Sequence, residues 1–151
     1  MTSSLDLLAL THAAAVPVIV RESLVSPDDA DNLLIGTSVV HPDGTTDIPV
    51  YIDPEAYNDP NWHYQGEISL SYQRLDLGDT FGALGLHFKV TPTYTTEEIA
   101  AKLASIFAIV IEPGDYVHQT LTLTTPSELL IFQALPDSLR YKGQVAIRVH
   151  L

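Results

Sequence analysis

The chain contains no cysteine. That excludes disulfides, thiolate zinc sites and Fe–S clusters, and leaves packing and hydrogen bonding to hold the fold. Basic side chains are scarce: 7 Lys and Arg against 19 Asp and Glu give a formal net charge of −12 at pH 7. A surface of that sign repels phosphate backbones and anionic headgroups, so no direct nucleic-acid partner and no membrane partner are expected. Long apolar runs are also missing. The longest, Ala13 to Val20, is broken by Pro17 and falls far short of the roughly 20 residues that cross a bilayer. Met1-Thr2-Ser3-Ser4-Leu5-Asp6 has no basic leader region, so a soluble protein made in a cytoplasm is expected.

With 46% hydrophobic residues in 151, there is enough apolar material for a real core, either one compact domain or two small lobes. The 10 Pro and 8 Gly favour strands and turns over a helical bundle. An internal echo gives more detail. Tyr64-Gln65-Gly66-Glu67-Ile68-Ser69-Leu70-Ser71-Tyr72 returns 77 residues later as Tyr141-Lys142-Gly143-Gln144-Val145-Ala146-Ile147-Arg148-Val149. In both copies a Tyr-x-Gly opens a period-two apolar alternation, which predicts a half-buried strand.

Along the chain, Ser3 to Val16 reads as a helix ended by Pro17, and Val18-Ile19-Val20 as a short buried strand. Ser26-Pro27-Asp28-Asp29 reads as a brief helical turn. Leu33 to Val40 and Asp47 to Ile52 form a hairpin about Asp43-Gly44, and Asp53 to Asn61 is a surface insert. The first Tyr-x-Gly strand runs on to Leu77, and Gly78, Gly82 and Gly85 mark the junction. Thr95 caps a helix with Glu98 at its third position, backed by a stripe of Ile99, Leu103, Ile106 and Phe107. Val117 to Leu123, Leu129 to Phe132 and the second Tyr-x-Gly run are further strands. The expected fold is α+β and β-rich: a duplicated helix-plus-antiparallel-sheet unit, with repeats at 1–79 and 80–151.

Candidate chemistry is thin. His12, His41, His63, His87, His118 and His150 stand singly, without ligand spacing. Asp29 and Asp31 are two apart, but the EF-hand positions for Gly and Glu hold Leu34 and Val40. There is no G-x-S-x-G elbow, and Gly78, Gly82 and Gly85 do not make a G-x-G-x-x-G. In a chain this acidic, a pair of carboxylates that could serve a glycosidase carries no weight. No catalytic residue, no metal site and no cofactor are therefore expected. Trp62 and Tyr64, with Tyr51 and Tyr57, surround the insert. Tyr57, Trp62 and Tyr64 are the candidate partner contacts, since loop aromatics can anchor an interface or stack on sugars.

The run from Tyr64 to Tyr72, continued by Gln73-Arg74-Leu75-Asp76-Leu77, resembles a Y-x-G-strand-Y-x-R-L-D-L signature of small virion structural proteins of large tailed bacteriophages. The helix opening at Thr95-Thr96-Glu97-Glu98-Ile99, Pro113-Gly114-Asp115-Tyr116-Val117, and Ser138-Leu139-Arg140-Tyr141-Lys142-Gly143 are similar to the same pattern. The resemblance implies a non-enzymatic virion structural or accessory protein, made in the host cytoplasm. It would bind other capsid, neck, tail or baseplate proteins, as a monomer or small oligomer when isolated. The alternative is a carbohydrate-recognising module of a tail fibre or host-binding appendage, with Trp62 stacking on the sugar. Val145, Ile147 and Val149 near the C-terminus are expected to be buried, making the last strand structural.

Overall fold

A computed structural model describes residues 7–23, 33–52 and 67–151. The chain divides into two compact units, Met1–Gln73 and Arg74–Leu151. The division falls ahead of the glycines at 78, 82 and 85, where the junction was expected. Arg74 and Leu75 are already committed to the C-terminal unit, where the Leu75 N–H donates to the Arg140 carbonyl at 2.8 Å. Ser3 to Asp6, Ser26 to Asp31, the insert and the first Tyr-x-Gly lie outside the described residues.

In the N-terminal unit, helix α1 spans His12–Ser23. Thr11 caps it, taking the Ala14 N–H on its hydroxyl at 3.3 Å. Leu7 and Leu8 are also helical, so the expected helix is interrupted at residues 9–11; α1 then runs through Pro17, and Val18 to Val20 are helical rather than a strand. Pro17 removes one intrahelical bond, a cost of about 3 kcal/mol. Burial outweighs it: Val16 and Val20, one turn apart, pack with Leu33, Ile48 and Val50, and Ile19, Leu70 and Tyr72 close over them.

Strands β1 (Leu33–Ile35) and β2 (Val39–Val40) lie along one edge of β3 (Thr45–Ile52), and β4 (Glu67–Gln73) lies along the other, all antiparallel. Leu33 faces Ile52 while Val39 faces Asp47, a one-residue change of register across the break. Pro49 accepts from the Gly36 N–H at 2.8 Å but has no N–H to return, and the edge strand breaks there. A side chain at Gly36 would lie 2.8 Å from the Tyr51 ring. The expected hairpin about Asp43-Gly44 is present, with Asp43 Oδ1 accepting from the Thr45 N–H at 2.9 Å.

The C-terminal unit opens with β5 (Leu75–Asp76) and runs straight into helix α2 (Leu77–Phe81), capped when Asp79 N–H donates to Asp76 at 3.1 Å. A helix thus opens directly after a strand here, at Leu77, but the spacing of Gly78, Gly82 and Gly85 is not that of a dinucleotide loop. A 3-10 turn at Gly82–Leu84, β6 (His87–Lys89) and β7 (Thr93–Thr95) follow. Helix α3 spans Thr96–Phe107, capped by Thr95 as expected. Ile99 and Leu103 are buried, but Ile106 is exposed, and Phe107 instead stacks at a tilt on Phe81, 4.5 Å between centroids. After a 3-10 turn at Pro113–Asp115 come β8 (Thr120–Thr122), β9 (Ser127–Gln133), β10 (Tyr141–Lys142) and β11 (Gln144–His150).

β11 is the centre of a three-stranded sheet in the order β6-β11-β9. Its Val145, Ile147 and Val149 are 2%, 0% and 0% exposed, against Phe88 of β6 and Leu130 and Phe132 of β9. The secondary structure is thus mixed α and β, with several helices and sheets. The expectation of antiparallel sheets alone fails here, because β6 runs parallel to β11 and β5 parallel to β10. The long connections through α2 and α3 make such crossovers possible.

Candidate functional site

Two features of the C-terminal unit stand out. The first is a buried polar cluster. Asp115 accepts from the Ser138 hydroxyl at 2.7 Å and from the Glu112 N–H at 2.7 Å. The Arg140 guanidinium lies 3.7 Å from Asp115 and 3.6 Å from Glu112, and donates to the Val110 carbonyl at 2.7 Å. The Tyr141 hydroxyl donates to the same carbonyl at 2.8 Å, and burial pushes its phenol well above the ordinary value. Ser138 is committed to a carboxylate and takes the Tyr141 N–H at 3.1 Å. The cluster fixes the loop from β9 to β10 against the turn at Pro113–Asp115, which is structural work. Sequence reading passed over it, because Asp115, Ser138 and Arg140 look like ordinary turn residues until burial is known.

The second feature is a surface. β9 alternates strictly, with Leu130 and Phe132 buried while Leu129 and Ile131 are 61% and 47% exposed. The same solvent face carries Ala146 and Arg148 of β11 and His87 and Lys89 of β6. Beside β9 is a groove of about 310 Å³, whose lining includes Tyr94, Gln119, Leu121, Glu128, Leu129 and Ile131. Burial, reinforced by the Glu128 charge, raises the Tyr94 phenol, so it stands there as a neutral hydroxyl.

The groove has an identifiable cause. The segments at Tyr116 and Ala134 begin as an antiparallel ladder, with the Val117 N–H donating to the Gln133 carbonyl at 3.0 Å. Continued, that ladder would set Gln119 opposite Ile131 and Leu121 opposite Leu129. Thr96 prevents it. Its hydroxyl donates to the Val117 carbonyl at 2.9 Å and accepts from the Gln119 N–H at 2.9 Å, and its own N–H donates to the Gln119 carbonyl at 3.0 Å. β8 is thereby drawn onto β7, where Leu121 faces Tyr94, and parts from β9. The turn between them is held by Glu128, which accepts from the Thr124 N–H at 2.6 Å and the Thr125 N–H at 2.8 Å.

The candidate contacts Tyr57, Trp62 and Tyr64 lie outside the described residues. Tyr51 is 42% exposed on β3. In the N-terminal unit, His12 bridges Ser38 and Tyr72, each at 3.1 Å, and so ties α1 to the sheet. His41 pairs with Asp47 at 2.8 Å across the β2–β3 hairpin, and His118 meets the Pro113 carbonyl at 2.6 Å. Among the described residues, no three or more His, Asp or Glu side chains are grouped to hold a metal ion, and no helix is long and apolar enough to cross a membrane.

Residues 54–151 match the model of a family of unknown function (DUF7941). That is well over half of the chain, which belongs to this family. It takes in β4 and the whole C-terminal unit, with the β9 surface. No curated protein and no solved structure matches the chain.

Proposed function

We propose that this member of the DUF7941 family is a non-enzymatic structural or accessory protein of a tailed-phage particle that binds neighbouring virion proteins through its sheet surfaces. The observation that carries the reading is the exposed side of β9. Leu129 and Ile131 stand in solvent beside an open groove, on a chain with a net charge of −12. Apolar side chains on an open sheet face suit a protein partner. The resemblance of Tyr64 to Leu77 to small phage virion proteins supports the particle as the setting.

The proposal includes a duplicated origin for the two units. β4 and β11 begin at Glu67 and Gln144, the same 77 residues apart as the echoed motif, and each has an antiparallel partner earlier in its own unit, β3 for β4 and β9 for β11. Mass spectrometry and high-resolution imaging of purified particles test the reading. The chain is expected in stoichiometric copies within the particle, contacting other virion proteins. Its presence only in the infected-cell lysate, and never in washed particles, contradicts the proposal.

A further inference from the structure

Resting on that reading, we infer that the outer edge of β9 is an acceptor for one extended segment of a partner protein, apolar at alternate positions and carrying Lys or Arg, which adds a strand between β9 and β8.

The backbone directions of β9 support this. The Ala134 N–H donates toward β11, to the Gly143 carbonyl at 2.9 Å, whereas the Gln133 carbonyl points the other way, to Val117. In an antiparallel ladder these directions alternate. Leu130 and Phe132, opposite Ile147 and Val145, therefore spend their N–H and carbonyl groups on β11. Those of Leu129 and Ile131 point into the groove. Among the described residues β9 has no strand partner on that side except at Val117. The facing segment cannot close the gap, because the Gln119 backbone is held at both its N–H and its carbonyl by Thr96. The Ser127 carbonyl already accepts from the Thr125 hydroxyl at 2.8 Å, so the open edge runs from Glu128 to Ile131, roughly 13 Å of strand. Consecutive residues from Glu128 to Ile131 all line the groove, as expected of a strand seen along its edge.

Charge defines the occupant. Glu128 is the sole ionised group in that lining, which contains no Lys, Arg or His. Glu97 lines the adjoining hollow with Thr95, Thr96 and His118. An inserted strand thus meets backbone groups, Leu and Ile side chains, a neutral tyrosine and the Glu128 carboxylate in the groove, while Arg148 on the adjoining sheet face donates to the Ser127 hydroxyl at 3.4 Å. An acidic segment, including a second copy of this chain at −12, is disfavoured there.

The test is a selection of randomised nonapeptides against the full chain. Amide hydrogen exchange then locates the bound peptides, and two variants probe the edge. Expected are peptides with period-two apolar residues and Lys or Arg, whose binding slows exchange at Leu129 and Ile131. Ile131→Pro deletes an N–H that faces the groove and leaves the β11 ladder intact. It should weaken binding about tenfold or more, the weight of one backbone hydrogen bond, whereas Ile131→Thr should stay within about threefold. If Ile131→Pro does not fold, peptides N-methylated at alternate residues make the same comparison on the wild-type chain. Failure to enrich any peptide, protection elsewhere, indifference to N-methylation, or enrichment of acidic sequences overturns the inference. Particles that incorporate Ile131→Pro at the wild-type level would also overturn it while leaving the virion reading standing. Absence of the wild-type chain from particles defeats that reading without touching the peptide result.

Discussion

β4 and β11 carry the same repeated motif yet have different positions in their units. β11 sits between two strands and buries Val145, Ile147 and Val149 almost completely. β4 pairs only with β3 among the described residues, and its Leu70 and Tyr72 are half-buried. A period-two pattern opened by Tyr-x-Gly is enough to make a strand in both places. What the strand is worth depends on how many neighbours cover it, and the motif does not encode that.

The sharpest way to break the comparison is deletion. Removing Gln144–Leu151 takes away the central strand and three side chains worth roughly 1.5–3 kcal/mol each. A domain of this size has about 5–15 kcal/mol of stability. Circular dichroism and limited proteolysis should find the C-terminal unit unfolded or molten. Point truncations extend the test: Ile147→Ala should cost about 2–5 kcal/mol in denaturant unfolding, and Leu70→Ala at the edge of β4 about half as much. Equal losses would mean that β4 is covered as fully as β11.

The buried cluster should be nearly as sensitive. Asp115→Ala removes the acceptor of the Ser138 hydroxyl and of the Glu112 N–H and leaves Arg140 with Glu112 as its one nearby carboxylate among the described ion pairs, and a loss of about 2–4 kcal/mol is expected in the same assay. Gly78 and Gly82 of the C-terminal unit give a smaller contrast. A Cβ at Gly78 would lie 2.8 Å from the Gln144 carbonyl oxygen, whereas one at Gly82 meets nothing within 4 Å. Gly78→Ala should therefore destabilise by about 1–3 kcal/mol. Gly82 has right-handed helical backbone angles, so Gly82→Ala should be neutral or stabilising by about 0.4–1 kcal/mol.

The smallest effect concerns the turn beside the groove. Hydrogen bonds from the Thr124 side chain and backbone, and from Thr125, hold the Glu128 carboxyl below its ordinary 4.5. A group whose folded value is depressed stabilises above its unfolded value and loses that contribution as pH falls through the folded one. Relative to their intrinsic rates, the amides of Thr124 and Thr125 should thus lose protection below about pH 4.5 and keep it unchanged between pH 6 and 8. Amide exchange in a pH series checks this, and Glu128→Gln should abolish the step.

Much of the fold was legible where local chemistry decided it. The Thr95 cap, the Asp43-Gly44 turn and the alternation of β11 needed only short-range rules. Pro17 misled, because the burial of Val16 and Val20 that keeps α1 intact is a tertiary fact. Val117 to Leu123 alternates as a strand should, yet the strand formed is Thr120–Thr122. No periodicity reveals that Thr96, twenty-one residues upstream of Val117, takes its carbonyl and turns the chain away. The candidate surface was half visible: Leu129 to Phe132 reads as an apolar run, but which two of the four face solvent depends on which side of β9 the core lies.

Amide hydrogen exchange of the isolated chain along Ser127–Gln133 tests the central claim most directly. Leu130 and Phe132, bonded to β11, should be strongly protected, while Leu129 and Ile131, facing the groove, should exchange quickly. Uniform protection along the strand would show that β8 and β9 are closed on each other in solution and that the chain offers no free edge to a partner.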